Sequence, residues 1–363
     1  MKAAVLERVG DPLRIEELTI DPVRPGEVRV AFRAAGVCHS DVHQADGAWG
    51  DLDPIVLGHE GAGVIESVGP GVADLRAGDT VTLNWFLSCQ NCRECRRGRP
   101  WLCGHVSGDG RRQDGSTPLH RQDGSPMLSY AGLGTFAEAA VVPADAAIRI
   151  PPDVPPEVGA LIGCAVTTGV MAVLRTARVT AGSSVLVVGL GGVGLSVVMG
   201  AALAGATRIV AMDLSPEKLE MGRLLGATDL VLAQGEEENL EAILALCPGG
   251  VDYSFEAIGV QSTIELAVNA LAGGGSAVLV GMTSTDATVS FHPLQITEGG
   301  RRIIGSNYGS SIPAVDFPMI ADLYLAGRLP IDRLVGKRIS LAEVNSAMEA
   351  LRRGEGLRSV VVF

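Results

Sequence analysis

Four cysteines crowd into one short loop, Cys89-x2-Cys92-x2-Cys95-x7-Cys103. Thiolates at this spacing can close tetrahedrally around one Zn²⁺, and a closed shell of four leaves no position for a substrate. Such a centre is structural by the logic of its coordination. The loop is polar, and Arg93, Arg96, Arg97 and Arg99 are expected to offset the negative charge of a zinc centre held by four thiolates. An iron–sulfur cluster is the competing use of four cysteines. With Cys38, Cys164 and Cys247 the total is seven. An odd count with this clustering fits a disulfide framework poorly.

Two other loops gather groups able to bind metal or carry protons. Gly36-Val-Cys38-His39-Ser40-Asp41-Val-His43 follows an alternating strand pattern, and Leu57-Gly58-His59-Glu60-Gly61 holds a His-Glu pair in a glycine turn. Read alone, each is better explained by satisfied structural side chains than by a metal site. Cys164 alone reads as a small buried hydrophobe, the usual fate of a free cysteine.

A different chemistry is written at 183–213, SSVLVVGLGGVGLSVVMGAALAGATRIVAMD. The apolar run 185–188 has the length of a buried strand and leads into Gly189-Leu-Gly191-Gly192-Val193-Gly194. An apolar helix follows to about Ala204, and a second strand at 208–212 ends on Asp213. This is G-x-G-x-x-G with an acid about 20 residues further on, the dinucleotide-binding pattern. The first glycine permits the tight turn, the second a close approach to pyrophosphate, the third helix-on-strand packing. The helix N-terminus suits phosphate. Asp213 would accept from a ribose 2′-hydroxyl and repel a 2′-phosphate, favouring NAD over NADP. The uncharged run 179–207 could also suggest a membrane helix, but its seven glycines argue for a packed strand–turn–helix.

These groups need elements to position them. The chain has 363 residues, 47% of them apolar, with 47 glycines, which suits two α/β-type domains with many tight turns. A net charge of −12 argues against nucleic-acid or anionic-membrane partners. Charges near the start (MKAAVLERVGDPLRIEE) leave no room for an apolar signal region, so a cytoplasmic protein is expected. Alternation predicts strands at 2–6, 27–34, 61–68, 80–83, 136–142 and 147–150, a β-rich, partly barrel-like domain. Residues 104–134 read as an exposed insertion with about one turn of structure, and 157–173 as a helix interrupted at Gly163-Cys164. Strands at 185–188, 208–212, 230–232, 251–256, 276–282 and 303–305 alternate with helices at 193–204, 215–225, 236–246 and 261–272. That order predicts a doubly wound parallel sheet. Helices at 316–326 and 341–353 and a strand at 359–363 close the chain.

Taken together in this order, GVCHSDVH, LGHEGAG, the four-cysteine loop, GCAVTTG, GLGGVG and LRSVVV resemble the zinc-dependent medium-chain alcohol dehydrogenases, essentially end to end. The resemblance implies a GroES-like catalytic domain at 1–165, a Rossmann NAD domain at 166–307 and a return to the catalytic domain at 308–363. It implies two zinc ions per chain, a catalytic one on Cys38, His59 and Cys164 and a structural one on Cys89, Cys92, Cys95 and Cys103. Glu60 would lie behind the catalytic metal, as a transient ligand or as a hydrogen-bond acceptor. Ser40 and His43 align with a proton relay, and a zinc-held alkoxide would pass hydride to NAD⁺.

His39 would face the pyrophosphate with a charge that fades as pH rises through the imidazole range. Thr168 would lie beside the nicotinamide. Lys218, Val280 and Arg358 complete the implied coenzyme contacts. Trp85 aligns with a pocket aromatic that narrows the site toward primary alcohols and aldehydes, with Tyr130 and Tyr308 as further walls. The resemblance also implies a homodimer or homotetramer, paired through the edge of the coenzyme sheet, that acts on small molecules.

LNW (83–85), RRGRPW (96–101) and DFPM (316–319) also resemble the mycothiol-dependent formaldehyde dehydrogenases. GCAVTTG departs from that branch, and ADGAWGDLD (45–53) lacks the acidic pair of glutathione-dependent relatives. A non-catalytic NAD-binding protein on the same fold is the third reading, set against the presence of all seven zinc-ligand positions.

Overall fold

A computed structural model describes every residue except 51–53 and 107. The chain divides into two compact units, one made of Met1–Cys164, Ile312–Gly327 and Ile331–Phe363, the other of Ala165–Ser311 and Arg328–Pro330.

The first unit is built on β-sheet. Strand Glu27–Gly36 is central to a seven-stranded sheet, pairing antiparallel with Glu60–Val68, Ala139–Pro143 and Arg358–Val362. Its alternation buries Val28, Val30 and Phe32 against Ile65, Val81 and Leu83. The outer strand of this sheet, Val335–Ile339, runs parallel to Arg358–Val362 and is not among the expected strands, because its VGKRI pattern is largely exposed. A six-stranded sheet contains Lys2–Leu6 and Ile55–Val56.

The expected loose insertion at 104–134 is not loose. Leu119–His120 and Pro126–Ser129 form an antiparallel pair, the second of which also pairs with Ile55–Val56. Leu119, Met127 and Leu128 are buried. Charged residues disguise this hairpin in the sequence because they work as ties: Arg112 bonds Asp21 and Glu27, and Arg121 bonds Glu7 and Glu16.

The second unit is a six-stranded, wholly parallel sheet, ordered Asp229–Leu232, Arg208–Asp213, Ser184–Val188, Val251–Glu256, Leu271–Leu279, Arg302–Gly305. The first strand in sequence lies inside the sheet with the order reversing on either side of it, which makes a doubly wound topology with a switch point at its carboxyl end. Ser184–Val188 is buried on both faces, and helix Gly192–Ala204 is nearly all apolar because most of it is buried. Pro156–Ala177 is a helical run long and apolar enough to cross a membrane, but 83% of its most apolar window is buried in the fold. The interruption expected at Gly163-Cys164 is a change of helical pitch. The run stays helical through a widened π turn, Ile162–Val166.

Candidate active site

Strand Glu27–Gly36 hands the chain to a seven-residue helix, His39–Ala45, with Cys38 as its N-cap. Asp41, in the first turn and wholly buried, turns back on the loop that precedes it. Its Oδ2 accepts from the Cys38 N–H at 2.9 Å. Its Oδ1 accepts from the Gly58 N–H at 3.2 Å and lies 3.0 Å from His59 Nδ1. A carboxylate on Nδ1 fixes the imidazole tautomer and leaves Nε2 as the ligating atom. Gly58 has φ +90°, and a Cβ there would lie 2.5 Å from Thr135 Oγ1 and 2.6 Å from the Phe136 nitrogen. Only glycine fits this turn, and the turn delivers His59 and Glu60 side by side.

Cys164 arrives on the π turn, a distortion frequent at functional sites. One ligand atom from each of Cys38, His59, Glu60 and Cys164 lies within 4.8 Å of all the others, and all four residues are buried. Glu60 is held by the guanidinium of Arg358 through Oε2, while its buried Oε1 has no hydrogen-bond partner among the described residues. Both cysteines are free thiols. Two sulfurs, one imidazole and an unsatisfied carboxylate oxygen, all buried, fit a zinc site of two cysteines and one histidine with a remaining open position.

The electrostatics agree. A hydrogen bond from the Cys164 thiol holds Cys38 well below the usual thiol range despite burial, with Arg358 and His59 adding to the effect. The Cys38 sulfur and burial push Cys164 well up in turn. Burial favours neutral His59, but Asp41 and the Cys38 sulfur outweigh it and raise the imidazole well above its ordinary value. Burial pushes Glu60 up to about 7 against the pull of Arg358. Like charges this close ionise together only around a cation.

The other thiol cluster is equally tight. Cys89, Cys92, Cys95 and Cys103 bring their sulfurs within 4.8 Å of one another, with Cys92 3.5 Å from Cys95 and 3.9 Å from Cys103. Zn–S bonds of about 2.3 Å in a tetrahedron give S···S edges of about 3.8 Å. The arginines do not neutralise the sulfurs as expected: Arg93 and Arg99 pair with Glu94, and Arg96 reaches Asn91. Backbone donors do that work, the Cys89 N–H to Cys103 Sγ, the Cys92 N–H to Cys89 Sγ and the His105 N–H to Cys103 Sγ. N–H groups of Asn91 and Cys92 bring Cys89 down to about 6.

Ser40 Oγ lies 3.8 Å from Cys38 Sγ, and the Ser40 carbonyl accepts from the Tyr130 hydroxyl at 3.4 Å. His43, half-buried one turn along, lies against His39 and Trp49, each ring 5.5 Å away and tilted to it. Trp85 and Tyr130 meet the His59 ring edge-on at 6.3 and 5.5 Å. Burial raises the Tyr130 hydroxyl above its ordinary range, so it stays a donor. Tyr308 lies in the second unit and is 3% exposed, a core position there. Residues 51–53 of the 45–53 loop lie outside the described residues.

In the second unit the glycine turn has the shape its sequence requires. Gly189 has φ +88°, and a Cβ on Gly194 would meet the Gly189 carbonyl oxygen at 1.7 Å. At Gly191 a Cβ would meet nothing within 4 Å, which leaves open space where backbone can approach a pyrophosphate. Gly192 and Val193 begin the helix. Asp213 closes its strand and anchors the turn, accepting from the Leu190 N–H at 2.7 Å and the Ser215 N–H at 2.9 Å. Lys218 sits in the first turn of helix Pro216–Leu224, half-buried. Val280 is buried just past strand Leu271–Leu279, and Thr168 is half-buried on helix Thr167–Met171. Arg358 belongs to the first unit with Glu60, not to the unit of the glycine turn.

Asp213→Asn keeps an acceptor for the Leu190 N–H but removes the charge. Bonds to a charged group are worth about 1.5–3 kcal/mol, so the preference for NAD over NADP is expected to fall by about 10- to 100-fold. Steady-state kcat/KM with each coenzyme measures this, and unchanged selectivity would count against the assignment.

Asp41 joins Cys38, Gly58 and His59 in a way that the motifs do not single out. Its signal in the sequence is an acid three places after the helix N-cap, the capping-box position.

Two family models match the chain: "Alcohol dehydrogenase GroES-like domain" over residues 24–152 and "Zinc-binding dehydrogenase" over residues 192–325. An alcohol dehydrogenase class-3 of Cereibacter sphaeroides is 36% identical, covering 100% of this chain and 99% of its own. An S-(hydroxymethyl)glutathione dehydrogenase of Paracoccus denitrificans is 35% identical with the same coverage. Among solved structures, benzyl alcohol dehydrogenase from Acinetobacter calcoaceticus superposes with a TM-score of 0.93 at 31% identity, covering 100% of this chain and 99% of that one.

Proposed function

This chain belongs to the zinc-dependent medium-chain alcohol dehydrogenases, and from that premise we propose that it interconverts primary alcohols and aldehydes with NAD(H). One zinc would be held by Cys38, His59 and Cys164, and a second, structural one by Cys89, Cys92, Cys95 and Cys103. When bound, the first supplies a Lewis acid for the substrate oxygen and the nicotinamide supplies the hydride acceptor.

The chain's own residues do the rest. Asp41 holds the His59 ring with Nε2 free. Ser40 Oγ, next to the Cys38 sulfur, takes the alcohol proton, and His43 carries it to solvent. Trp85 and Tyr130 wall the pocket with flat apolar surface, which suits an unbranched or aromatic primary alcohol. The carrying observation is the convergence of Cys38, His59, Glu60 and Cys164 within 4.8 Å.

Turnover followed by NADH absorbance should favour benzyl alcohol over 2-propanol by at least about tenfold, a difference of about 1.4 kcal/mol. Equal rates would reject the narrow pocket. A thiol-adduct formaldehyde dehydrogenase is the second reading, favoured by the S-(hydroxymethyl)glutathione dehydrogenase relative. Formaldehyde oxidation that requires added mycothiol or glutathione would establish it.

Free thiols throughout fit a reducing, cytoplasmic setting. Strand Arg302–Gly305 is a sheet edge with Ile303, Phe291, Leu294 and Val289 exposed near it in sequence, which supports a homo-oligomer paired there. Ile303→Asp is expected to lower the mass in light scattering to that of a smaller species. An unchanged mass would move the interface elsewhere.

A further inference from the structure

Glu60 has two claims on it, Arg358 and the buried cluster, and Gly36 sits where those claims are decided. Gly36 ends the central strand, directly opposite Glu60 in the antiparallel register and opposite Val360 on its other side. A Cβ on Gly36 would lie 2.0 Å from Glu60 Oε2, 3.0 Å from its Cδ and 3.1 Å from its Cβ. Oε2 is the oxygen held by Arg358, and Oε1 is the oxygen that is buried and without a hydrogen-bond partner among the described residues. The carboxylate therefore lies in the space left by the missing side chain of residue 36, two residues before the ligand Cys38.

We propose that Gly36 is a positioning residue: its bare Cα is the berth that keeps the Glu60 carboxylate on Arg358 and out of the metal's open position. The inference rests on the zinc reading of the Cys38–His59–Cys164 cluster. The physical reason is excluded volume. Glu60 and Arg358 are both buried, so a carboxylate driven from this berth cannot escape to water. The sulfurs and imidazole with which it already shares a 4.8 Å cluster are within its reach. Gly36→Ala would convert a three-ligand site into one of two thiolates, an imidazole and a carboxylate, in which substrate has no place.

The test uses the full chain with cobalt in place of zinc at the buried site. Wild type is expected to show a visible d–d spectrum that shifts when an alcohol or a competing anion enters the open position. In Gly36→Ala the metal is expected to be retained, the spectrum to stop responding to those ligands, and loss to a chelator to slow by about tenfold, at the lower end of effects on metal affinity from residues behind the ligands. Glu60→Ala combined with Gly36→Ala removes the displaced carboxylate and should restore the ligand response seen in Glu60→Ala alone.

Melting temperature gives the same cycle independently. Gly36→Ala should cost stability beside Glu60 and little beside Ala at 60, because the nearest atoms met by the new Cβ all belong to Glu60. Additive stability changes, or a Gly36→Ala spectrum that still responds like wild type, would overturn the proposal. A wild-type chain that takes cobalt only at the four-cysteine loop would overturn the zinc reading itself, and the inference with it.

Discussion

Cys38→Ser is expected to abolish alcohol oxidation, with kcat falling by at least about 10³-fold, while NADH still binds. Lewis-acid stabilisation by a metal is worth several kcal/mol, and each 1.36 kcal/mol is tenfold in rate. The substitution removes one of two sulfurs from a cluster whose atoms all lie within 4.8 Å of one another. Serine is a poor zinc ligand and leaves a site of one thiol and one imidazole. The glycine turn belongs to the other compact unit, so coenzyme affinity serves as the folding control. Metal analysis should show zinc falling from two ions per chain toward one, the four-cysteine loop keeping its own. A serine variant with wild-type turnover would defeat the mechanism outright.

Asp41→Asn is the second substitution from which a large loss is expected. The carboxylate serves the Cys38 N–H, the Gly58 N–H and His59 Nδ1 at once, all away from water. The asparagine amide has one acceptor oxygen where the carboxylate has two, so at least one of these donors faces an NH2 group. Leaving a buried donor unsatisfied costs about 1–3 kcal/mol. Loss of the carboxylate behind a metal-binding histidine typically weakens metal by about 10- to 100-fold. Zinc affinity measured by competition with a chelator, beside melting temperature, separates the two effects. A variant that melts earlier but binds zinc as tightly would make Asp41 a folding residue only.

Much of this arrangement is legible in the amino-acid sequence. The four-cysteine loop and the glycine turn are local in the chain, and their chemistry depends on spacing that a string of residues preserves. The alternating strands at 2–6, 80–83 and 251–256 fall where the pattern puts them, because one or both faces are buried and the period is clear. The buried cluster is different. Cys38, His59 and Cys164 lie on three separate elements, and from the residues alone each is ambiguous; only the combined motifs join them. Asp41 escapes notice because its role exists only once Gly58 and His59 fold over it.

The hairpin within 104–134 hides from periodicity because its cohesion comes from arginines reaching distant carboxylates, as Arg112 does to Asp21 and Glu27. Alternation does not register such ties. The arginines around the four cysteines mislead in the opposite sense. They are near the sulfurs in sequence, yet Arg93, Arg96 and Arg99 bond to Glu94 and Asn91 while main-chain amides meet the thiols.

The short helix His39–Ala45 has a consequence of its own. In the proposed function, metal ligand, relay serine, orienting acid and relay histidine all ride on one stub of two turns and its N-cap, too brief to persist unaided. Their mutual angles are therefore locked by helical pitch, and a single residue inserted between Cys38 and His43 would rotate everything beyond it by about 100°. Where the metal would be held and where the proton would leave are thus set by the same few residues. Trp85 and Tyr130 lie elsewhere in the chain, so a substitution at either changes what faces His59 without turning the groups on the stub.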